Sequence, residues 1–279
     1  MMKFGAALMT LMVTAWVAPP HALAGSPPPA PGIERSSLFQ FADGDRLEDA
    51  GVITVTGGPF ARTEAFEVVR RTDGGRTITS VTTGSGGAYR VEGRWTYDAA
   101  EKAPAAQGLG RYGDQPVSVD IRVVAPQATI AAQVDGAERT VNAPCNPCLV
   151  DLSPSALPMF TMTRLYDAAR DGVQSFDWIG RGLIQDSVLT EGRAALHKVR
   201  SGQVPGPDGT PVAVDQYHFV ETLMDPGTGR VIRYAFNLYV DGTQRPLGFA
   251  MGTGTAGLRS GFDDLTQRMP PVFDAAATP

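Results

Sequence analysis

The sequence has few of the residues that carry most nucleophilic and metal chemistry. Its 279 residues include two cysteines and three histidines. Lysine and arginine form no cluster along the chain, and the net charge is −5. Nucleic-acid binding needs a basic face that can neutralise phosphates. The composition therefore excludes nucleic acid as the expected partner.

Long apolar runs are also missing after the first twenty residues. Lys3 precedes an apolar stretch, and Ala22 and Ala24 are small residues at the positions that signal peptidase inspects. We expect a signal peptide at 1–24, cleavage after Ala24 and a periplasmic mature chain. No later stretch approaches the roughly 20 apolar residues that a membrane span needs, and no cysteine follows the cleavage point. We therefore expect a mature chain without a transmembrane segment or lipid anchor.

The ends of the mature chain have compositions that favour little structure. Four of the seven residues at 26–32 are proline, which predicts an extended Pro-rich tether over 25–35. Residues 270–279 lack an apolar periodic face, which predicts a flexible tail. Between them, we expect residues 36–269 to form a single β domain.

Alternation of apolar and polar residues dominates that central region. At 89–97 the odd positions are apolar or aromatic apart from Gly93, which is the pattern of a strand with one buried face. Turn residues such as Asp-Gly separate the runs. The predicted strands are 62–71, 76–83, 89–97, 117–125, 127–134, 138–142, 173–180, 183–190, 193–200, 212–224, 230–240 and 244–251. The expected fold is mainly β, an antiparallel meander that forms a curved half-barrel or barrel.

One segment has helical periodicity instead. Residues 153–169 repeat apolar side chains at three- and four-residue spacing, and Gly172 is a stop signal. Ser153 or Ser155 could cap the helix start, with Pro158 in the first turn. A helix in an otherwise β protein must bury its apolar face, so we expect it against the concave face of the sheet.

Cys145 and Cys148 form the sharpest local motif. In an exported protein a structural disulfide is the favoured interpretation. A redox-active pair would need a thioredoxin-like βαβ context, which the pattern lacks. A closed zinc site usually needs four ligands, and only His197 and His218 could join the pair after the signal peptide is removed. We expect neither a metal nor a cofactor.

The layout resembles the periplasmic lipoprotein-carrier (LolA-like) half-barrel superfamily and its uncharacterised domain-of-unknown-function relatives. The features that carry the resemblance are the hairpin at 66–80, the helix entry at 151–157, and the segments 215–219 and 230–234. The resemblance implies a curved sheet whose apolar concave face holds acyl chains.

Three aligned apolar faces predict an apolar cavity along the concave side. The function expected from the sequence is a periplasmic binding or carrier protein for a lipid or another long apolar molecule. The alternative is a non-enzymatic envelope scaffold or assembly protein with a filled core and an envelope protein as partner. A hydrolase is a third hypothesis, although no nucleophile–base pair can be named and no catalytic residue is predicted. The residues expected to line the cavity are Phe66, Val68, Val91, Trp95, Tyr97, Val119, Ile121, Val123, Phe160, Met162, Tyr166, Tyr234, Phe236 and Leu238.

Overall fold

The protein is mainly β, with fifteen strands and two short helices in the part of the chain that the structure describes. The computed structural model describes residues 26–57, 61–102, 105–134, 137–145, 148–182, 190–224 and 230–273. The strands are β1 Arg46–Thr56, β2 Arg62–Arg70, β3 Arg76–Gly84, β4 Tyr89–Tyr97, β5 Ala105–Tyr112, β6 Gln115–Val124, β7 Gln127–Val134, β8 Ala137–Pro144, β9 Cys148–Ser153, β10 Gln174–Gly182, β11 Thr190–Pro205, β12 Pro211–Met224, β13 Val231–Asp241, β14 Pro246–Met251 and β15 Ala256–Arg259. The helices are α1 Leu157–Leu165 and α2 Leu265–Arg268.

All fifteen strands belong to one open sheet, ordered β8-β7-β6-β5-β4-β3-β2-β1-β15-β14-β13-β12-β11-β10-β9. Strands β1 to β8 form one antiparallel meander and β10 to β15 form another, and pairing of β1 with β15 joins the two. Among the strands that the structure describes, only β9 and β10 pair in parallel. The predicted antiparallel meander is therefore confirmed, except where β1 pairs with β15 and where β9 pairs with β10.

The sheet curls so that β9 at one end lies against β4 and β5, which are close to the other end. The indole Nε1 of Trp95 in β4 donates a hydrogen bond of 3.1 Å to the carbonyl of Val150 in β9, although ten positions separate these strands in the sheet order. Strand β9 also contacts β5. Because the sheet does not close, the predicted half-barrel is confirmed and the closed alternative is wrong.

Gly93 interrupts the apolar alternation of β4 for a steric reason. A Cβ atom at Gly93 would lie 2.4 Å from the six-membered ring of Trp95. Because Gly93 has no side chain, the indole of Trp95 can lie over it and reach β9. A glycine within an alternating strand often marks such a close approach.

The predicted helix exists but is shorter than expected. Helix α1 spans nine residues, and the chain is already extended at Tyr166. Gln174 then bonds both the amide and the carbonyl of Asp167, which turns the chain before the predicted stop at Gly172. At the other end the N-cap position is Ala156 rather than the predicted Ser153 or Ser155, although the amide of Leu157 donates to Ser155 Oγ at 3.2 Å.

Four strands were not predicted from alternation. Strand β1 contains Gly51 and several charged residues, β5 is rich in alanine and glycine, and β9 and β15 are only six and four residues long. Such segments have weak β propensity or too few residues to show a period. The predicted strand 183–190 falls almost wholly outside the described residues.

The N-terminal segment covers the outer face of β2 to β4. Arg35 makes two hydrogen bonds, of 2.8 and 2.7 Å, to the carboxylate of Glu67, which is 2% exposed. The amide of Ser37 donates to Glu92 Oε2 at 2.5 Å, and Ser36 Oγ donates to the same oxygen at 3.0 Å. Arg35 also bonds the carbonyl of Pro27 at 2.6 Å. The predicted boundary near residue 35 therefore does not separate a free tether from the domain.

The C-terminal segment covers the outer face of β11 to β14 in a similar way. Asn237 exchanges two hydrogen bonds of 3.0 Å with the backbone of Val272. Arg200 and Gln216 donate to the carbonyl of Pro270. The flexible-tail prediction is thus wrong for 270–273, and residues 274–279 lie outside the described part. A second buried cluster packs beneath this segment and contains Val204, Val214, Tyr239, Leu247, Ala250, Phe262, Leu265 and Met269.

Neither described helix has the length and hydropathy of a membrane-spanning segment.

Replacement of Arg35 tests whether the N-terminal segment supports the sheet. Arg35→Ala leaves the buried Glu67 carboxylate without its bidentate partner. We expect a loss of about 2 kcal/mol, less than the roughly 3 to 5 kcal/mol of a fully buried pair, because Arg35 is partly exposed. Thermal unfolding of the purified protein measures it. Arg46→Ala is the control, since Arg46 is 76% exposed and should change stability by less than about 0.5 kcal/mol. Equal melting temperatures for the two variants would contradict the anchoring.

Candidate functional site

The concave face of the sheet and α1 form one buried apolar cluster. Most of the residues predicted to line a cavity belong to it: Phe66, Val68, Val91, Trp95, Tyr97, Val119, Ile121, Phe160, Met162, Phe236 and Leu238. Val123 and Tyr166 are partly buried against it. The predicted residues are therefore brought together, as inward-facing positions of adjacent strands should be.

Tyr234 does not join this cluster. It alternates in register with Phe236 and Leu238 along β13, but it is 37% exposed. The buried stretch of β13 begins only at Phe236. The lining role predicted for Tyr234 is therefore wrong.

Side chains from α1 and β9 fill the concave space. Phe160 and Met162 of α1 are 2% and 1% exposed, and Val150 and Leu152 of β9 are both 0% exposed. Grooves of about 400 and 840 Å³ are found elsewhere, on the outer face of β5 to β7 and beside the β11–β12 loop. Among the predicted lining residues, only Val119 borders either groove.

Small side chains on the sheet make room for β9 in the interior. Ala106 in β5 is 1% exposed, and the facing alanines of β7 and β8 are similarly buried. Their short side chains allow another strand to approach the sheet closely. The interior is therefore packed by backbone and side chains together, like a protein core.

Glu64 fixes the N-terminus of α1 inside this apolar space. Glu64 Oε2 accepts a hydrogen bond of 2.9 Å from the amide of Ala156, and Oε1 accepts a short hydrogen bond from Ser155 Oγ. Glu64 is 0% exposed, and burial raises the pKa of its carboxyl group despite these two donors. A carboxylate at a helix N-terminus satisfies an orphan amide and complements the helix dipole.

Two more carboxyl groups face the same interior. Asp151 lies in β9 and is partly exposed, and desolvation together with the nearby Glu64 raises its pKa to about 7. Glu221 lies in β12 and is 8% exposed. Burial and the nearby Asp151 raise the pKa of Glu221 to about 8, although the indole of Trp178 opposes the shift. These two carboxyl groups therefore hold protons at a pH where exposed acids are ionised.

The arrangement suits proton binding better than nucleophilic or metal chemistry. The hydroxyl of Ser155 already donates to Glu64 and accepts from the amide of Leu157. No group of three or more His, Cys, Asp or Glu residues within the described ranges could hold a metal ion. Perturbed carboxyl pKa values concentrate at functional sites, so the interior acids are the candidate site of this molecule.

The two histidines predicted to lie in strands are neighbours on the outer face. His197 and His218 pair directly across β11 and β12, with ring centroids 5.3 Å apart. His218 also packs edge-on against Phe273 of the C-terminal segment. The prediction that His218 points away from the aromatic inner face is confirmed.

Sequence reasoning missed the three interior acids, although a signal for two of them was present. Glu64 alternates in register with Phe66 and Val68, and Glu221 alternates with Phe219. A carboxylate at a position that should be apolar indicates a buried charge. Asp151 gave no such signal, because β9 was not predicted as a strand.

Comparison of the chain with family models, curated proteins and solved structures gives no match. The functional argument therefore depends on the chemistry of this chain alone.

Cys145 of the cysteine motif is buried at the end of β8. Cys145 is 2% exposed, and its amide donates to the carbonyl of Pro126 at 2.8 Å, which holds Cys145 beside the turn between β6 and β7. The side chain of Cys148 lies outside the described part of the structure. A Cys145–Cys148 disulfide stays a prediction, and we expect no alkylation of the two cysteines when the protein is denatured without reductant. Two alkyl groups on the intact mass before reduction would refute it.

Replacement of Glu64 tests how strongly α1 depends on its carboxylate. Glu64→Ala leaves Ser155 and the Ala156 amide without their acceptor, so we expect a loss of about 3 kcal/mol, given about 1 to 3 kcal/mol for each buried group left unpaired. Glu64→Gln keeps an acceptor for the amide and can donate to Ser155 Oγ, so it should cost under about 1 kcal/mol. Chemical denaturation measures both, with exposed Glu138→Ala as the control. A loss for Glu64→Ala no larger than the control value would contradict the capping role.

Proposed function

We propose that the protein is an exported, non-enzymatic scaffold or assembly protein of the bacterial envelope, with a filled interior. The observation that carries this proposal is the packing of α1 and β9 against the concave face, where an acyl chain would otherwise lie. A carrier needs space that a ligand can enter. Here that space is occupied by residues of the chain, including Val150, Leu152, Phe160 and Met162.

The outer face of the sheet supports the same interpretation. The N-terminal segment lies over β2 to β4 and the C-terminal segment lies over β11 to β14, so both faces of much of the sheet are buried. Sheets packed on both faces are rigid, and a rigid surface loses little entropy when a partner docks. Strand β8 pairs only with β7 in the described strand order, and edge strands are frequent docking sites for extended segments.

The proposal that the protein is exported rests on the signal-peptide pattern of the first 24 residues. The resemblance to the LolA-like superfamily also belongs here, because it implies a half-barrel in the periplasm. The resemblance further implies that acyl chains bind in the concave face. The filled interior disagrees with that implication, and for this reason we prefer a scaffold to a lipid carrier.

A carrier of apolar molecules is the second candidate, and the form of α1 favours it. The helix has only nine residues, and helices this short have little stability of their own. It presents Phe160, Met159 and Met162 to the concave face, and methionine side chains repack readily around irregular apolar shapes. A ligand that displaced α1 would find an apolar surface beneath it.

A single substitution separates the two candidates. In a filled interior Met162→Trp overpacks the core, and we expect a loss of about 1 to 3 kcal/mol with no binding of a fluorescent acyl probe by either protein. Met162→Leu conserves volume and should cost under about 1.5 kcal/mol. Melting curves and probe titrations on the full mature chain measure both effects. Probe binding by the parent that Met162→Trp abolishes without a change in melting temperature would favour the carrier.

Native mass spectrometry of protein purified from the envelope provides an independent test. The scaffold interpretation predicts the mass of the mature chain alone. A co-purified lipid at equal stoichiometry would overturn it.

A further inference from the structure

The C-terminal segment is held on the outer face of the sheet by hydrogen bonds from side chains to its main chain. Gln216 Nε2 and Arg200 Nη2 both donate to the carbonyl of Pro270, at 3.2 and 2.7 Å. Asn237 donates to the carbonyl of Val272 and accepts from the amide of the same residue, each at 3.0 Å. Such contacts depend on the backbone of the segment rather than on the identity of its side chains.

The side chains that bind the segment also orient one another. Gln216 of β12 lies opposite Arg200 of β11 on one side and Tyr239 of β13 on the other, and Asn237 is two residues from Tyr239 along β13. Arg200 Nε donates to Gln216 Oε1 at 2.7 Å, and Gln216 Nε2 donates to Asn237 Oδ1 at 2.7 Å. Tyr239 Oη donates to the carbonyl of Met269 at 2.9 Å. We call Arg200, Gln216, Asn237 and Tyr239 the backbone clamp. Because strands and mutual hydrogen bonds fix its members, the clamp is preorganised for a main chain.

The segment suits the backbone clamp through its two prolines. Pro270 and Pro271 have no amide hydrogen, and the amide of Met269 donates to the carbonyl of Leu265 at 2.8 Å. The amide of Val272 is therefore the main-chain donor that the segment offers to the clamp. Proline also fixes φ, so an extended segment with two prolines loses little conformational entropy when it docks. The chemistry that the clamp recognises is thus an extended Pro-Pro-X segment in which X keeps its amide hydrogen.

Little apolar surface is buried by the last four residues of the described segment. Pro270 is exposed and Phe273 is 40% exposed, so release of 270–273 would uncover few apolar groups. It would uncover the amides of Gln216 and Asn237, which are both 0% exposed beneath the segment. Uncovered amides can bind water or another backbone, whereas exposure of an apolar core is costly. The contact is therefore suited to exchange of one segment for another.

We propose that the backbone clamp is a docking site for an extended Pro-Pro-X segment of another protein, and that the chain's own C-terminal segment occupies it until such a partner binds. A stiff proline-containing segment on a preformed surface is a recurring mode of peptide recognition. The tethered segment competes at an effective concentration of about millimolar, so a partner must bind tightly enough to displace it. The inference goes beyond the proposed function: it names a partner class and a surface distinct from the edge strand β8, and it does not depend on the filled interior.

Titration of the purified full chain with a peptide of sequence 268–273 tests the backbone clamp. The side-chain amide signals of Asn237 and Gln216, observed by NMR on isotope-labelled protein, report binding at the site itself. Val272→Pro in the protein removes the amide that donates to Asn237, which weakens the competing segment. This variant should therefore bind the peptide about tenfold more tightly than the parent, the effect of about one hydrogen bond. The same peptide carrying Val272→Pro should bind the variant about tenfold more weakly.

Further substitutions in the Val272→Pro protein test the members of the clamp. Asn237→Ala removes both bonds to position 272 of the peptide and should weaken binding by at least about tenfold. Arg200→Ala removes one donor to the carbonyl of Pro270 and should weaken binding by about fivefold. Asn142→Ala, at an exposed asparagine on β8, is the matched control and should leave the affinity unchanged. Circular dichroism checks folding. Should Asn237→Ala fail to fold, Arg200→Ala decides, because Arg200 is exposed.

Three results would overturn the proposal. One is a titration of the Val272→Pro protein that leaves the Asn237 and Gln216 signals unchanged up to millimolar peptide. Another is equal affinity of the two peptides, or of the parent and the Val272→Pro protein, for the site. The third is a dimer of the parent, detected by light scattering, that excess peptide dissociates, because the occupant would then be the segment of a second copy. These measurements do not report on the interior, so their failure is distinguishable from failure of the scaffold proposal, which the acyl probe and the co-purified lipid test.

Discussion

The contact between the Glu64 carboxylate and the start of α1 is the constraint on which the interior depends. A nine-residue helix without an acidic first turn has little reason to form alone. Glu64 accepts from both Ser155 and the Ala156 amide, so the sheet itself supplies the cap. Because Ser153 ends β9 only a few residues before α1, the same contact also holds the end of β9 in place. An apolar interior thus depends on one buried carboxyl group.

The rest of the architecture follows from how an open sheet can bury both of its faces. The inner face is covered by α1 and β9, which belong to the segment between the two meanders. The outer face is covered by the ends of the chain, through the Arg35–Glu67 pair on one side and the Asn237–Val272 bonds on the other. A sheet that buries both faces in this way needs no closure for stability. The backbone groups at the two edges of the sheet have no neighbouring strand in the described order, so a partner would dock there.

The sequence predicted the parts of this fold that repeat and missed the parts that do not. Period-two alternation identified β4, β6 and β13, because their inner faces are uniformly apolar. The same logic placed Phe66, Trp95 and Leu238 together correctly. Strands β1 and β5 were missed because glycine, alanine and charged residues hide their period. Whether the predicted lining surrounds a cavity or fills a core depends on how far β9 folds inward, and no local pattern encodes that distance. Gly93 interrupts the alternation of β4, and the space that it leaves is occupied by Trp95, whose indole contacts β9.

Hydrogen exchange at the indole N–H of Trp95, observed by NMR on the purified protein, tests the filled interior most directly. Trp95 is 0% exposed and its Nε1 donates to Val150 of β9 at 3.1 Å. If β9 fills the concave face, this hydrogen should exchange as slowly as the slowest backbone amides, which report global unfolding. Exchange of the Trp95 indole at the rate of an exposed side chain would mean that β9 lies elsewhere, and it would contradict the account.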